Sequence, residues 1–134
     1  MEIISSDYKR SIDVGSSDIF YSLYSTVAIK LKDFTKEIPL AWDFLKTGNY
    51  EGKNGYEVAR QFNLLRDKLA TLKPTEIIYD LNDVSIKAPW EGNVSPVITS
   101  CANFYTTADG KDLLYEIVCI MCYAAVKKVD VLTV

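Results

Sequence analysis

Histidine is absent from the sequence, and its absence removes most of the usual side-chain chemistry. Ser-His-Asp and Cys-His nucleophilic catalysis, imidazole zinc sites and histidine acid–base work all need a ring nitrogen that titrates near neutrality or binds a metal. Carboxylates remain available as acids and bases, but such work requires two of them converging in a cleft. Spacing along the chain does not show convergence. A carboxylate-dependent or small-molecule-binding enzyme, with its pocket between sheet and helices, therefore stays open as a second reading.

The other chemical motifs are weaker than they look. Cys119-Ile-Met-Cys122 matches CxxC formally. A redox pair of that kind begins a helix, where the dipole lowers the thiol pKa. Here the pair falls inside the most apolar stretch of the chain, so a core role is expected for it, and a metal would find only Cys101 as a further thiol ligand. Asp80, Asn82 and Glu91 occupy positions 1, 3 and 12 of a calcium-loop pattern, yet Val84 and Ser85 stand where a ligand and a glycine are needed. Gly48, Gly52 and Gly55 are spaced as turns, with no phosphate-loop pattern. No cofactor and no metal is expected.

Two features suit a contact surface. Asp80, Asp83, Trp90 and Glu91 combine acids with a large aromatic beside Pro89, a composition that fits a basic partner. Trp90 serves equally well as a plug at the core edge. The nine tyrosines, among them Tyr8, Tyr21, Tyr50 and Tyr56, are of a type enriched at interfaces, and one that also caps cores with the hydroxyl in water.

Positioning these residues falls mainly to helices. Phe20, Leu23, Tyr24, Val27, Leu31 and Phe34 form one helical stripe beginning near Ser16 or Ser17, although Thr26, Val27 and Ile29 also suit a strand. A short helix is predicted over Ile38 to Lys46, with Pro39 at its first position and Gly48 beyond its end. Asn54 and Glu57 have capping-box spacing before the stripe Val58, Phe62, Leu65, Leu69 and Leu72, which Pro74 stops. Ile77 to Tyr79 and Val84 to Lys87 read as two short strands around Leu81-Asn82-Asp83, the second ended by Pro89. Ser95 and Pro96 then suggest a helix burying Val97, Cys101 and Phe104. Asp109 is expected to open a last helix, through Leu113 and Ala125, buried nearly all round. Short strands are expected at Ile3-Ile4 and Val131 to Val134, and possible at Ile12 to Val14. The fold class is α+β: four or five helices on a small sheet, with the apolar last helix central, in one domain over residues 1–134.

Composition sets outer limits on function. A chain of 134 residues with 49% hydrophobic content can bury a core without disulfides or a structural metal. Its 18 acidic and 15 basic residues give a net charge of -3, which argues against a phosphate-neutralising nucleic-acid binder and suits a basic protein partner. Three cysteines without a framework spacing read as reduced cytoplasmic thiols. No stretch approaches the ~20 apolar residues of a membrane span, and Met1 to Ser6 lacks the pattern of a signal peptide. Binding fits these limits better than catalysis does, and a self-associating structural subunit is a third reading.

Two stretches carry a family resemblance. The run from Pro89-Trp90-Glu91-Gly92-Asn93-Val94-Ser95-Pro96 to Cys101-Ala102-Asn103-Phe104-Tyr105-Thr106-Thr107-Ala108-Asp109-Gly110-Lys111-Asp112-Leu113-Leu114 resembles the C-terminal half of the immunity protein 70 family of bacterial polymorphic-toxin systems. Asp13-Val14-Gly15-Ser16, leading into a helix from Asp18, is similar to the entry of that family's first helix. The resemblance implies a cytoplasmic protein encoded beside a toxin, which binds the toxin's C-terminal domain and blocks its active site or its activation. It implies no catalytic residues and assigns no interface.

Overall fold

Ser16 starts the first helix. Its backbone is extended and its hydroxyl accepts the Asp18 amide at 3.2 Å, the geometry of a helix N-cap. In the computed structural model, which describes residues 1–87 and 95–134, helix α1 runs Ser17–Lys30 and buries Phe20, Leu23 and Val27. The same stripe continues to Leu31 and Phe34, but the chain there tightens into a 3-10 segment, Lys32–Glu37. Helix α2, Pro39–Thr47, has proline in its first turn and closes on Gly48 at φ 72°, a left-handed conformation that costs glycine little.

Helix α3, Glu57–Leu69, places Val58, Phe62, Leu65 and Leu69 in the core as its periodicity predicts. Its start differs. Tyr56 stands at the N-cap without a side-chain cap, because the Glu57 carboxylate is engaged by Arg60 and Gln61 rather than reaching back. The last helix, α4, is Leu113–Lys127, opened by Asp112, whose carboxylate accepts the Tyr115 amide at 3.2 Å. Asp109, the expected opener, instead sits in a tight turn where Thr107 and Lys111 exchange backbone and side-chain hydrogen bonds.

Four short strands, β1 (Glu2–Ser5), β2 (Ser11–Asp13), β3 (Asn49–Tyr50) and β4 (Val131–Thr133), form an antiparallel sheet in the order β2-β1-β4-β3. Ile3 lies opposite Ile12 on one side and Thr133 on the other, and Tyr50 lies opposite Val131. The architecture is α+β, as expected, with one contiguous core under the helices. The two-residue β3 has no periodicity of its own. It pairs because Gly48 and Gly52 let the chain pass close to Thr133 and to the Val129 carbonyl, where a Cβ would collide.

Helix α4 corrects one expectation. Its inner face, including Leu113, Leu114, Ile117, Met121 and Ala124, is fully buried against the core. Its outer face is not: Tyr115, Cys119 and Val126 are exposed, so of the CxxC pair Cys119 lies outside the core, while half-buried Cys122 packs against the core's edge as expected. Apolar content on every side is a sign of burial only if another element covers the far side, and among the described residues none does.

Two polar ties hold these elements in place. Gln61, 3% exposed on α3, accepts the Leu40 and Ala41 amides at 2.7 and 3.1 Å, and so caps the start of α2 from a neighbouring helix. Glu57 holds the Gln61 amide group at 3.1 Å and pairs with Arg60 on the other side. At the far end of the molecule, Asp7 in the β1–β2 connection accepts the Tyr123 hydroxyl of α4 at 2.6 Å and the Ser5 hydroxyl at 2.7 Å. These bonds, Tyr123 first, lower the Asp7 pKa from 3.8 to about 2.

Gln61→Leu leaves two amide donors without an acceptor, one of them on buried Ala41, and is expected to lower unfolding free energy by about 2 kcal/mol in urea titration. An unchanged midpoint would show that α2 needs no cap from α3. Because the folded pKa of Asp7 is depressed, its stabilising effect is complete above about pH 4 and is lost as pH falls towards about 2. Asp7→Asn is therefore expected to flatten the acid limb of the stability profile between those values, as read from unfolding curves at stepped pH.

Candidate interaction face

Helix α1 carries Ser22, Ser25 and Thr26 on its inward side, all fully buried. Three polar side chains in that position need partners, and one segment supplies most of them. The Ile78 amide donates to Thr26 Oγ1 at 2.8 Å, and the Ser22 hydroxyl donates to the Ile78 carbonyl at 2.8 Å. The Tyr105 hydroxyl, on a side chain 1% exposed, lies 3.0 Å from Ser22 Oγ and 2.8 Å from Thr26 Oγ1. One proton assignment satisfies the whole ring: Tyr105 donates to Ser22, Ser22 to the Ile78 carbonyl, the Ile78 amide to Thr26, and Thr26 to Tyr105. Burial pushes the Tyr105 pKa far up, so the phenol stays a neutral donor.

That ring lays residues 78–82 along α1, and the two strands expected over Ile77 to Tyr79 and Val84 to Lys87 do not form. The Ile78 backbone groups are taken by side chains of α1 instead of a strand ladder. Beyond it, Asp80 and Asp83 each bend the chain: Asp80 accepts the Asn82 amide at 2.9 Å, and Asp83 accepts the Ser85 amide and hydroxyl at 3.1 and 2.6 Å. Val84 and Ile86, read from alternation as strand residues, are exposed. Ser25 anchors the bend by accepting the Leu81 amide at 3.2 Å.

The outer side of this arrangement is a face of acids and phenols. Tyr21 donates to Asp80 at 3.3 Å and accepts from Asn82 at 3.1 Å, while Tyr79 donates to Asp18 at 3.0 Å. Partial desolvation, then the charge of Asp80, raises the Tyr21 pKa; the hydrogen bond to Asp18 raises that of Tyr79. Both phenols are protonated at neutral pH and hold their carboxylates by donation. Asp83 is lowered by its bonds to Ser85 and is charged. Asp18, Asp80 and Asp83 make no ion pair among the described residues, so their charge faces outward uncompensated. Tyr21 leads to Tyr24, which stacks on Trp42 with ring centroids 5.1 Å apart, and the Lys46 ammonium lies 5.8 Å from the Trp42 ring centroid.

An open groove of about 310 Å³ adjoins the face, between Phe20, Tyr21 and Tyr24 of α1, Leu45 and Lys46 of α2, and Thr133 of the sheet. No carboxylate lines it, so it offers nothing to a carboxylate-dependent reaction. Among the described residues no group of three or more Cys, Asp or Glu is placed to hold a metal ion. Cys101 donates its thiol to the Lys73 carbonyl, and burial pushes its pKa up to about 12, which makes it inert.

Of the residues singled out from sequence, Asp80 and Asp83 sit together on this face. Trp90 and Glu91 lie outside the described residues, as do Pro89 and the last position of the calcium-like pattern. The expected helix from Ser95 is a series of turns. There the Asn103 side chain accepts the Thr99 and Ser100 amides and donates to the Val97 carbonyl, replacing a helical ladder. Val97 is exposed, whereas Cys101 and Phe104 are buried as expected. Tyr21 was named among the interface-type tyrosines, whereas Asp18 and Tyr79 were not singled out from the sequence. The available signal was Ser22, Ser25 and Thr26, a polar patch at helical spacing inside an otherwise apolar stripe, which marks where an irregular segment docks.

The described surface of this small α+β chain thus offers one charged, aromatic face, and the comparisons with known proteins place the chain in a family. The family described as Immunity protein 70 matches residues 3–133, and the chain belongs to that family. Comparisons with curated proteins and with solved structures returned no match. No helix among the described residues is long and apolar enough to cross a membrane.

Thr26→Val keeps the shape of the side chain while removing the acceptor of the Ile78 amide. Hydrogen exchange is expected to accelerate at the Ile78 and Leu81 amides, with a loss of about 2 kcal/mol in global stability. Exchange unchanged at both amides would mean that the hydroxyl ring does not hold the face in place.

Proposed function

We propose that this chain neutralises a cognate bacterial toxin by stoichiometric binding to the toxin's C-terminal domain, in the cytoplasm and without turnover of a substrate. Membership of the Immunity protein 70 family carries this reading. The contact surface we assign is the acid–phenol face of Asp18, Tyr21, Tyr79, Asp80 and Asp83, extended along the chain to Trp90 and Glu91. Three outward carboxylates that make no ion pair among the described residues, in a chain of net charge -3, favour a basic toxin surface and speed its approach. Phenols held in place by those carboxylates add large, rigid contact area at small entropic cost. Inhibition then follows either by occluding a basic, nuclease-like cleft or by clamping the toxin away from it.

The test begins with affinity capture of the tagged protein from its native cells under conditions that express the toxin. One stoichiometric partner, toxic alone and harmless when co-expressed with this chain, is the expected result; no such partner overturns the function. With the purified pair, Trp90→Ala is expected to retain the fold and weaken binding by about 2 kcal/mol. The Asp80→Asn, Asp83→Asn double variant is expected to slow association and flatten its salt dependence. Wild-type affinity and rates in both variants would move the interface elsewhere while leaving neutralisation intact.

A further inference from the structure

The outer face of α4 shares no residue with the acid–phenol face. The β1–β2 connection reaches one flank of it, where Tyr123 donates to Asp7 at 2.6 Å and Arg10 lies over the Tyr123 ring at 4.7 Å, and among the described residues no further helix or strand covers it. Tyr115, Cys119, Cys122 and Val126 follow one another at steps of four, three and four residues, which sets them in a single stripe along the helix. Tyr115 is 52% exposed and Val126 61%, Cys119 is exposed, and Cys122 is half-buried. Arg66 covers one side of the Tyr115 ring at 5.5 Å and Cys122 packs partly against the core, which leaves Cys119, Val126 and the open side of Tyr115 as the bare part of the stripe. The charges beside the stripe are sorted by sign. Near its start Asp112 is paired with Arg66 at 4.0 Å and Lys111 with Asp109 at 3.4 Å, which leaves Glu116 as the acid outside an ion pair among the described residues, while Lys127 and Lys128 follow its end.

We propose that this face is a self-association surface, on which a second copy of the chain packs its own α4 antiparallel across a two-fold axis. An antiparallel two-fold brings the same flank of both helices together with their directions reversed. Glu116 of each copy then faces the basic end of its partner, and the opposed helix dipoles add to the attraction. A parallel pairing would set acids against acids and lysines against lysines. With the axis at the middle of the stripe, Cys119 of each copy lies opposite Cys122 of the other. The 15 residues of α4 extend about 22 Å at 1.5 Å per residue, so one helix face gives a small interface and a reversible dimer with a dissociation constant in the micromolar range. The inference is independent of the toxin reading, since it concerns a different surface and a partner identical to the chain itself.

Sedimentation velocity on the full chain under reducing conditions, from about 1 to 300 µM, tests it. The expected result is a concentration-dependent rise from the 15.1 kDa monomer towards twice that mass. Glu116→Lys and Lys127→Glu should each weaken the dimer at least tenfold, and the two changes combined should restore it. Both residues are at the surface, and circular dichroism verifies that each variant is folded. Diamide, as a two-electron oxidant, should link chains of the wild type covalently and fail to link the Cys119→Ser, Cys122→Ser double variant. A monomer at all concentrations overturns the proposal. A dimer indifferent to both charge reversals, or one in which the double reversal does not recover association, overturns the antiparallel α4 arrangement.

Discussion

The hydroxyl ring of Ser22, Thr26 and Tyr105 around the Ile78 backbone is the interaction on which the described surface depends. It joins three segments distant in sequence: helix α1, the irregular stretch from Ile77, and the turns before α4. All its side chains are buried, so each unmade bond would leave a polar group without water or partner, at a cost of about 1–3 kcal/mol. A buried network of that sort is favourable only when complete. Here the number of donors equals the number of acceptors, and the segment is therefore held in one conformation rather than several.

From that anchor the outer groups acquire their positions. Ile78 fixed on α1 puts Tyr79 over Asp18 and Asp80 beside Tyr21, so that phenol and carboxylate alternate across the face. The carboxylates orient the phenols and keep lone pairs free for a cation brought by a partner. Pre-set aromatic and acidic groups reduce the entropy lost when a protein surface binds. The outer side of α4 has another character. The bare α4 stripe is apolar with sorted charges, and it depends on the Gln61, Asp7 and β3 ties only in so far as they hold α4 against the sheet and α3.

Legibility from sequence followed the range of the interactions involved. Helices α1, α2 and α3 were readable because their signals are local: Ser16 as cap, Pro39 and Gly48 as boundaries, and apolar side chains at helical spacing. The end strands were readable for the same reason. Val84 and Ile86 misled because alternation was taken as evidence of a buried face, whereas Asp80 and Asp83 bend the backbone before any ladder can form. Ser95 and Pro96 misled because Asn103, eight residues after Ser95, takes the backbone groups a helix would need. Cys119 misled because apolar neighbours in sequence are not the same as a covering layer in space.

The sequence by itself determined the class of fold and narrowed the chemistry open to the chain. The lack of histidine, the acidic balance, the absence of a cofactor pattern and three helical stripes are properties of composition and local spacing, and they need no tertiary contact to be read. Asp80 and Asp83 were also legible as an acidic pair, being close along the chain. Only the tertiary structure decided that Asp18, Tyr21 and Tyr79 join them, and that the outer side of α4 stays bare. Those facts depend on which backbone Ser22 and Thr26 capture and on which elements remain to cover a helix. Both are contacts between residues more than fifty positions apart, and local spacing carries no information about them.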